Sequence, residues 1–392
     1  MLKNTLTWDL SDTTQRKNFL SIKDNLWIEG YKVSKNSGDA GLQLTYRPIK
    51  PLSGGVLQDI IDTMKMTVVK VDVDSIAFNY KPESAENDAL NIRENSTTPI
   101  LIPEYIKDVQ NKPAAYVKNS TVNILVKIKV EPISIKSLKI KGVSIDKKGS
   151  LGDAIEKTVT FVRGISKEGK DILSTIGIDE SEYVEFTIKG KTPDKVYVSE
   201  ESWSWIVTGV NGQTVSDMEV ERTLKHRIYI LWDKPKPPWN QAINDKANPW
   251  VNALDFAIVS CNTKDKTTED DIMKAITTKL YKIPYIGDSQ CKTGNGEFNY
   301  TKYMKTTKAN CIDSAVGLDA TASILGIDLV IAKRKTFFFG FNFHCFVKKD
   351  NYVYDCCSAM SYCVIKMNYT DYINAGKPAP GSVETDEVYP LK

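Results

Sequence analysis

Histidine is almost absent from this chain of 392 residues, which holds only His226 and His344. That scarcity excludes a histidine-rich metal centre, and no Cys-x-x-Cys occurs among the seven cysteines to build a zinc site instead. Cysteine is also too sparse, and odd in number, for a disulfide scaffold. No run approaches the ~18 consecutive apolar residues of a membrane span. Met1 to Asp12 holds one lysine and no apolar stretch of signal-peptide length. As written, the chain is expected to lack a leader, which leaves the cytoplasm, or export after leader removal or by a leaderless route. A surplus of charge is missing as well, with 52 basic against 49 acidic residues and a net charge of +3. The lysines are scattered, so no nucleic-acid footprint is expected.

What remains is the composition of a folded protein, 41% hydrophobic and 26% charged, with seven Trp, eighteen Tyr and twelve Phe to fill a core. The length calls for two or three domains. Met66 to Tyr80 alternates apolar and polar residues, which predicts a half-buried strand with Asp72 and Asp74 facing outward. Lys81 to Pro99 is polar and reads as a loop. Segments 121–130, 137–145, 183–190, 195–199, 202–209 and 226–232 favour β-branched and aromatic residues, and Asn211-Gly212 marks a turn. Short strands at this spacing predict an immunoglobulin-like sandwich, with His226 in a structural role at a strand start. Lys234 to Trp239 carries three prolines, which cannot continue a strand or helix, and predicts an extended connector. The resulting division is a mixed or β-rich part over 1–120, a sandwich over 121–234, a connector at 235–239 and a further domain over 240–392. A fragment beginning near Trp239 is expected to fold alone, and proteases are expected to cut at the connector or in the polar loop.

All seven cysteines lie in that last part. Asp270 to Leu280 has helical spacing with acidic residues in its first turn. Asn310 to Leu325 reads as a helix stopped by Gly326, which places Cys311 in the first turn. There the helix dipole and free backbone N–H groups favour a thiolate. Taken alone, a free cysteine is more often a small buried hydrophobe. Downstream, Phe337 to Val347 is an apolar strand and Tyr352 to Asp355 a second one across a polar turn. If Lys349 and Asp350 make that turn, Val347 pairs with Tyr352, Cys345 with Tyr354, and His344 with Asp355. Directly opposed residues share a face, so the carboxylate can hold the imidazole while its other nitrogen meets a thiol. Cys345 then points to the opposite face and stays out of the chemistry.

A helix-start Cys, a strand His and a strand Asp, in that chain order, resemble the transglutaminase-like superfamily. The pattern Cys-x-Asp-x-Ala with a helix ending Leu-Gly-Ile is matched by Cys311, Asp313, Ala315, Leu325, Gly326 and Ile327. His-x-aromatic followed by aromatic-x-x-Asp is matched by His344, Phe346, Tyr352 and Asp355. The likeness covers about the last 150 residues. The chain departs from the pattern with Ala309 and Asn310 before the nucleophile, Phe346 and Tyr352 where tryptophans are common, and Cys356-Cys357 after the aspartate.

The resemblance implies an α+β fold: a papain/transglutaminase-like catalytic domain with its Cys on a helix packed on an antiparallel sheet that bears His and Asp, preceded by the β-rich region. It also implies Cys311, His344 and Asp355 as a catalytic triad. An oxyanion would be held by the Cys311 N–H and one donor from the preceding loop, with Tyr300, Tyr303 and Asn310 as candidates. The expected activity is hydrolysis of amide bonds in a peptide or protein substrate, as in a thiol protease, without metal or organic cofactor. Two alternatives use the same residues differently: a glutamine transamidase or deamidase of effector or toxin type, and a scaffold that binds a partner without catalysis.

Overall fold

The computed structural model describes residues 70–79, 89–131, 135–145, 151–161, 183–240, 248–293, 296–334 and 343–375, with the backbone of strands 4–9, 26–36, 39–48, 179–180 and 385–387. The chain is α+β, rich in sheet with a few helices. Residues 81–88 of the expected 81–99 loop lie outside the described residues, and 89–99 are held by bridges of Ala89 to Tyr116 and Arg93 to Trp250.

Near the N-terminus, β1 (Asn4–Asp9), β2 (Leu26–Asn36) and β3 (Asp39–Pro48) form an antiparallel sheet in the order β1-β3-β2. Next, β4 (Lys70–Ala77), β5 (Tyr105–Ile106), β6 (Gln110–Asn111), β8 (Asn123–Glu131), β11 (Asp179–Glu180) and β12 (Val184–Thr187) make one sheet. A second holds β9 (Ser137–Ser144), β10 (Ala154–Thr160), β14 (Trp203–Val210) and β15 (Gln213–Arg222). The two share one apolar core, in which Val73, Ile124, Val126 and Ile128 of the first meet Ile140, Trp203, Trp205 and Val207 of the second. Asn211 and Gly212 turn β14 into β15 with φ of 48° and 82°, backbone angles that Asn and Gly tolerate.

Because β4 is hydrogen-bonded to β8, a boundary at residue 120 would cut through a sheet. Asp72 and Asp74 do face outward, to ion pairs with Lys107 at 2.7 Å and Lys129 at 2.5 Å. His226 is fully buried and donates from Nδ1 to Asn111 Oδ1 at 2.9 Å, with Phe78, Tyr105 and Trp203 around its ring. Burial alone pushes its pKa down to about 3, so it stays neutral, as a structural side chain should.

A third small sheet joins β7 (Ala114–Val117), β13 (Tyr197–Glu201) and β16 (His226–Leu231). The two-residue period of β16 sends its side chains to different cores. Ile228 and Ile230 enter the sandwich, while Tyr229 and Leu231 enter the core of the C-terminal part, together with Ala115 and Val196. The sheet is a wall shared by two cores.

The C-terminal part begins with α1 (Val251–Asp255), α2 (Glu269–Tyr281), α3 (Tyr300–Tyr303) and α4 (Cys311–Ile324). The α2 helix starts where its sequence says it should: Thr268 accepts from the Asp271 N–H, and Glu269, Asp270 and Asp271 lie at the positive end of the dipole. An antiparallel sheet follows in the order β20 (Val364–Asn368), β19 (Tyr352–Asp355), β18 (His344–Lys349), β17 (Val330–Arg334), β21 (Thr385–Glu387), with α5 (Tyr369–Ala375) after β20. Cys345, Val347 and Tyr354 of this sheet join the core that holds α4, and Ala332, Phe346, Val353 and Val364 pack with Tyr372 of α5 on the other side.

The proline-rich stretch is not a free connector. Asp233 N–H donates to Leu325, Lys236 N–H to Ser323, and the buried Trp239 donates from Nε1 to the Ala320 carbonyl at 2.7 Å. Prolines bar a strand or a helix here, but they do not bar packing against the end of α4. Gly326 shows how close that approach is. Its φ is +92°, and a Cβ there would lie 2.5 Å from the Asp233 backbone.

The expectation that residues from Trp239 onward fold alone therefore needs correction. A fragment 239–392 lacks Ile92, Ala115, Val196, Tyr229 and Leu231, all buried in its core. It should show no cooperative thermal transition, whereas a chain beginning at Lys70, which keeps β4, should. The bonds of Lys236 and Trp239 to α4 should make 234–239 resistant to limited proteolysis. A cooperative transition in fragment 239–392 would contradict the shared wall.

Candidate active site

Cys311 is the first residue of α4, and Asn310 is its cap, with Oδ1 accepting from the Asp313 N–H at 2.9 Å. Asp313 is fully buried, a costly place for a carboxylate without donors. It has three: Ser289 Oγ at 2.6 Å, Gln290 N–H at 2.7 Å and Cys291 N–H at 3.2 Å. On the other side of Cys311, Ala309 bridges Tyr285 through Ile286 N–H and Pro284 carbonyl bonds. Segment 284–291 is thus fastened on both sides of the cysteine.

His344 opens β18 and Asp355 closes β19, both buried, with His344 Nε2 2.7 Å from Asp355 Oδ2. The hairpin register differs from the sequence expectation. Lys349 pairs with Tyr352, and Val347 with Tyr354, so Asp350 and Asn351 form the turn. Asp350 has φ of +52°, a left-handed angle that Asp adopts more readily than most side chains, while Lys349 stays in the strand and pairs with Glu269. In this register Asp355 lies across from Phe346, diagonal to His344. The slip changes the pairing by two positions and keeps each side chain on its face. Direct opposition is lost, but the contact is not.

With Nε2 committed to Asp355, Nδ1 is the ring nitrogen left for Cys311, and the two side chains hydrogen-bond. Cys345 also takes part, contrary to its expected exclusion. Alternation does turn it away from His344, but α4 packs on that very face. Its thiol and its N–H both donate to Cys311. Those bonds, thiol first, and the His344 charge outweigh burial and hold Cys311 down to about 5. Burial opposes charge on His344, but Asp355 and the Cys311 thiolate overcome it and raise its pKa to about 10. The resting pair is thiolate and imidazolium.

Two of the expected oxyanion donors point elsewhere. Tyr303 packs across Gly317, where an added Cβ would lie 2.0 Å from its ring, and Tyr300 bonds Thr321 Oγ1 at 2.8 Å. At 1.5 Å per helical residue these contacts sit about 9 and about 15 Å along α4 from Cys311. Asn310 is close, and with its Oδ1 accepting the Asp313 N–H in the cap, its Nδ2 is the atom that could donate. Sequence reasoning missed Tyr285. Burial, then the Cys311 charge, pushes its phenol up to about 12, so a proton-bearing hydroxyl lies within electrostatic reach of the thiolate. The bridge to Ala309 helps to bring it there, and no spacing motif marks that bridge. Phe337 to Phe339 lie outside the described residues.

Among the described residues, no group of three or more His, Cys, Asp or Glu side chains is arranged to hold a metal ion, and no helix is long and apolar enough to cross a membrane. No family model matches the chain, and no curated protein matches it. Among solved structures it is similar to a crystal structure of red sea bream transglutaminase, at 11% identity and a TM-score of 0.26, over 64% of this chain and 50% of that one. The chain thus spans half the length of that structure.

All seven cysteines are free thiols, and they differ sharply in acidity. Burial pushes Cys261 and Cys291 up to about 12, Cys363 up to about 11, and Cys356 and Cys357 higher still. Iodoacetamide at pH 6–7 should label Cys311 first, as read by peptide mapping. Its rate should rise as the thiol loses its proton through about pH 5, then stay level until His344 deprotonates near pH 10. Labelling that rises only above pH 8, or that falls first on Cys363, would contradict this pairing.

Proposed function

We propose that the chain is a cysteine hydrolase that cleaves amide bonds of a peptide or protein through a thioester on Cys311. The observation that carries this reading is the buried imidazole of His344, hydrogen-bonded to Asp355 on one nitrogen and to Cys311 on the other. A scaffold gains nothing from a thiolate held at a helix start beside an imidazolium. An acyl-transfer enzyme needs both.

The Cys311 thiolate attacks the amide carbonyl, and the developing oxyanion meets the Cys311 N–H, one of the helix N-terminal donors without an intrahelical partner. Tyr285 supplies the second donor in place of Tyr300 and Tyr303. His344 gives its Nδ1 proton to the departing amine, which leaves an acyl-enzyme and a neutral imidazole. The imidazole then takes a proton from water, the hydroxide adds to the thioester, and the acid leaves as the thiolate returns. Asp355 keeps Nε2–H in place throughout.

Incubation with a mixed peptide library and a labelled primary amine, followed by mass spectrometry, tests the reading. New peptide termini are expected, and Cys311→Ala should abolish them. Tyr285→Phe should lower kcat on the order of 10²-fold, the loss typical of one oxyanion donor. Gain of the amine, or a one-dalton deamidation shift, would replace hydrolysis with glutamine acyl transfer. Absence of any product from the wild-type protein, or its persistence in Cys311→Ala, would overturn the nucleophile.

A further inference from the structure

Asp355 has a neighbour that the catalytic reading does not use. Tyr372, on α5, is buried on the sheet face opposite α4. Its ring packs on Phe346 at 4.9 Å between centroids, among Ala332, Val353 and Val364. In such surroundings a phenylalanine would do the packing, and a phenol needs a partner. The Tyr372 hydroxyl has one, donating to Asp355 Oδ2 at 2.8 Å. That is the oxygen His344 Nε2 reaches at 2.7 Å, while Cys357 N–H occupies Oδ1 at 2.9 Å. Both oxygens of the carboxylate are therefore engaged. Burial and the adjacent Asp355 charge hold the Tyr372 phenol well above its usual range, so it acts as a donor.

We propose that Tyr372 is a positioning residue for His344: by sharing Oδ2 it fixes the rotation of Asp355 and takes up part of the charge that the imidazolium would otherwise receive. The inference rests on the reading of Cys311, His344 and Asp355 as the reacting group. Two consequences follow from the chemistry of a shared acceptor. A carboxylate oxygen that accepts two hydrogen bonds is less basic than one that accepts a single bond, so Tyr372 lowers the basicity of His344. An imidazolium made less basic releases its proton to a leaving amine more readily.

Tyr372→Phe keeps the ring and removes only the donor. With the Oδ2 charge left to His344 alone, the ion pair strengthens and His344 keeps its second proton to higher pH. The basic limb of the Cys311 alkylation profile, where His344 deprotonates, should move up by on the order of one pH unit, the tenfold that one hydrogen bond to a charged group is worth. For a substrate found in the library assay, kcat should fall with KM unchanged. Replacement of Tyr372 by 3-fluorotyrosine, a stronger donor of the same shape, should move that limb downward. A residue that only packs would leave the limb in place, so superimposable profiles for wild type, Tyr372→Phe and the fluorinated protein would overturn the proposal. Failure of the underlying reading looks different. In that case His344→Ala would leave the wild-type rate of Cys311 alkylation at pH 7 unchanged, whatever the Tyr372 variants do.

Discussion

The arrangement of the C-terminal half depends on supplying one buried carboxylate with hydrogen-bond donors. Asp355 is 2% exposed, and an isolated carboxylate at that depth would take up a proton or cost several kcal/mol. Three donors prevent this, and they come from three places: His344 on the neighbouring strand, Cys357 in the following turn and Tyr372 on α5. Each needs its own element in position. β18 must be in register, the chain must turn just after β19, and α5 must close the far face of the sheet. With Asp355 beside it, His344 is raised to about 10 and meets Cys311 at the start of α4. The chemistry is the surface expression of a buried electrostatic constraint.

A second constraint sets how much of the chain that site requires. β16 is a single strand with a core on each side, Ile228 and Ile230 on one and Tyr229 and Leu231 on the other. Trp239 and Asp233 fasten the next segment to the C-terminal end of α4. The helix that presents Cys311 is therefore anchored at its far end by the proline-rich stretch and the residue just before it. Its near end is anchored by the Asp313 clamp on 289–291.

The sequence was most legible where a local rule has a single solution. Asn310 as cap and Gly326 as stop delimit α4 to within a residue. Thr268 and three acidic residues do the same for α2. The meeting of His344 and Asp355 was legible for a subtler reason. Strand parity survives a two-position slip, so the misplaced turn at Lys349-Asp350 still left both side chains on one face. What could not be read was contact between distant segments. Nothing in the pattern of residues 66–80 tells that strand to pair with 123–131. Proline content argues for a linker as readily as for a segment strapped to a helix. Cys345 was set aside by the same parity rule, which names the face of a strand but not what packs there. Tyr285 and Tyr372 resemble any other tyrosine in the sequence, and only a bridge to Ala309 and a docked short helix give them a role.

The scarcity of histidine offers a direct view of the central charge. With only His226 and His344 in the chain, selective 15N labelling of histidine yields two sets of ring signals. At pH 7 His344 should show two protonated ring nitrogens, held as imidazolium by Asp355 and the Cys311 thiolate, while His226 should show a neutral ring. A neutral His344 at pH 7, titrating near the unperturbed value of ~6.5, would contradict the account.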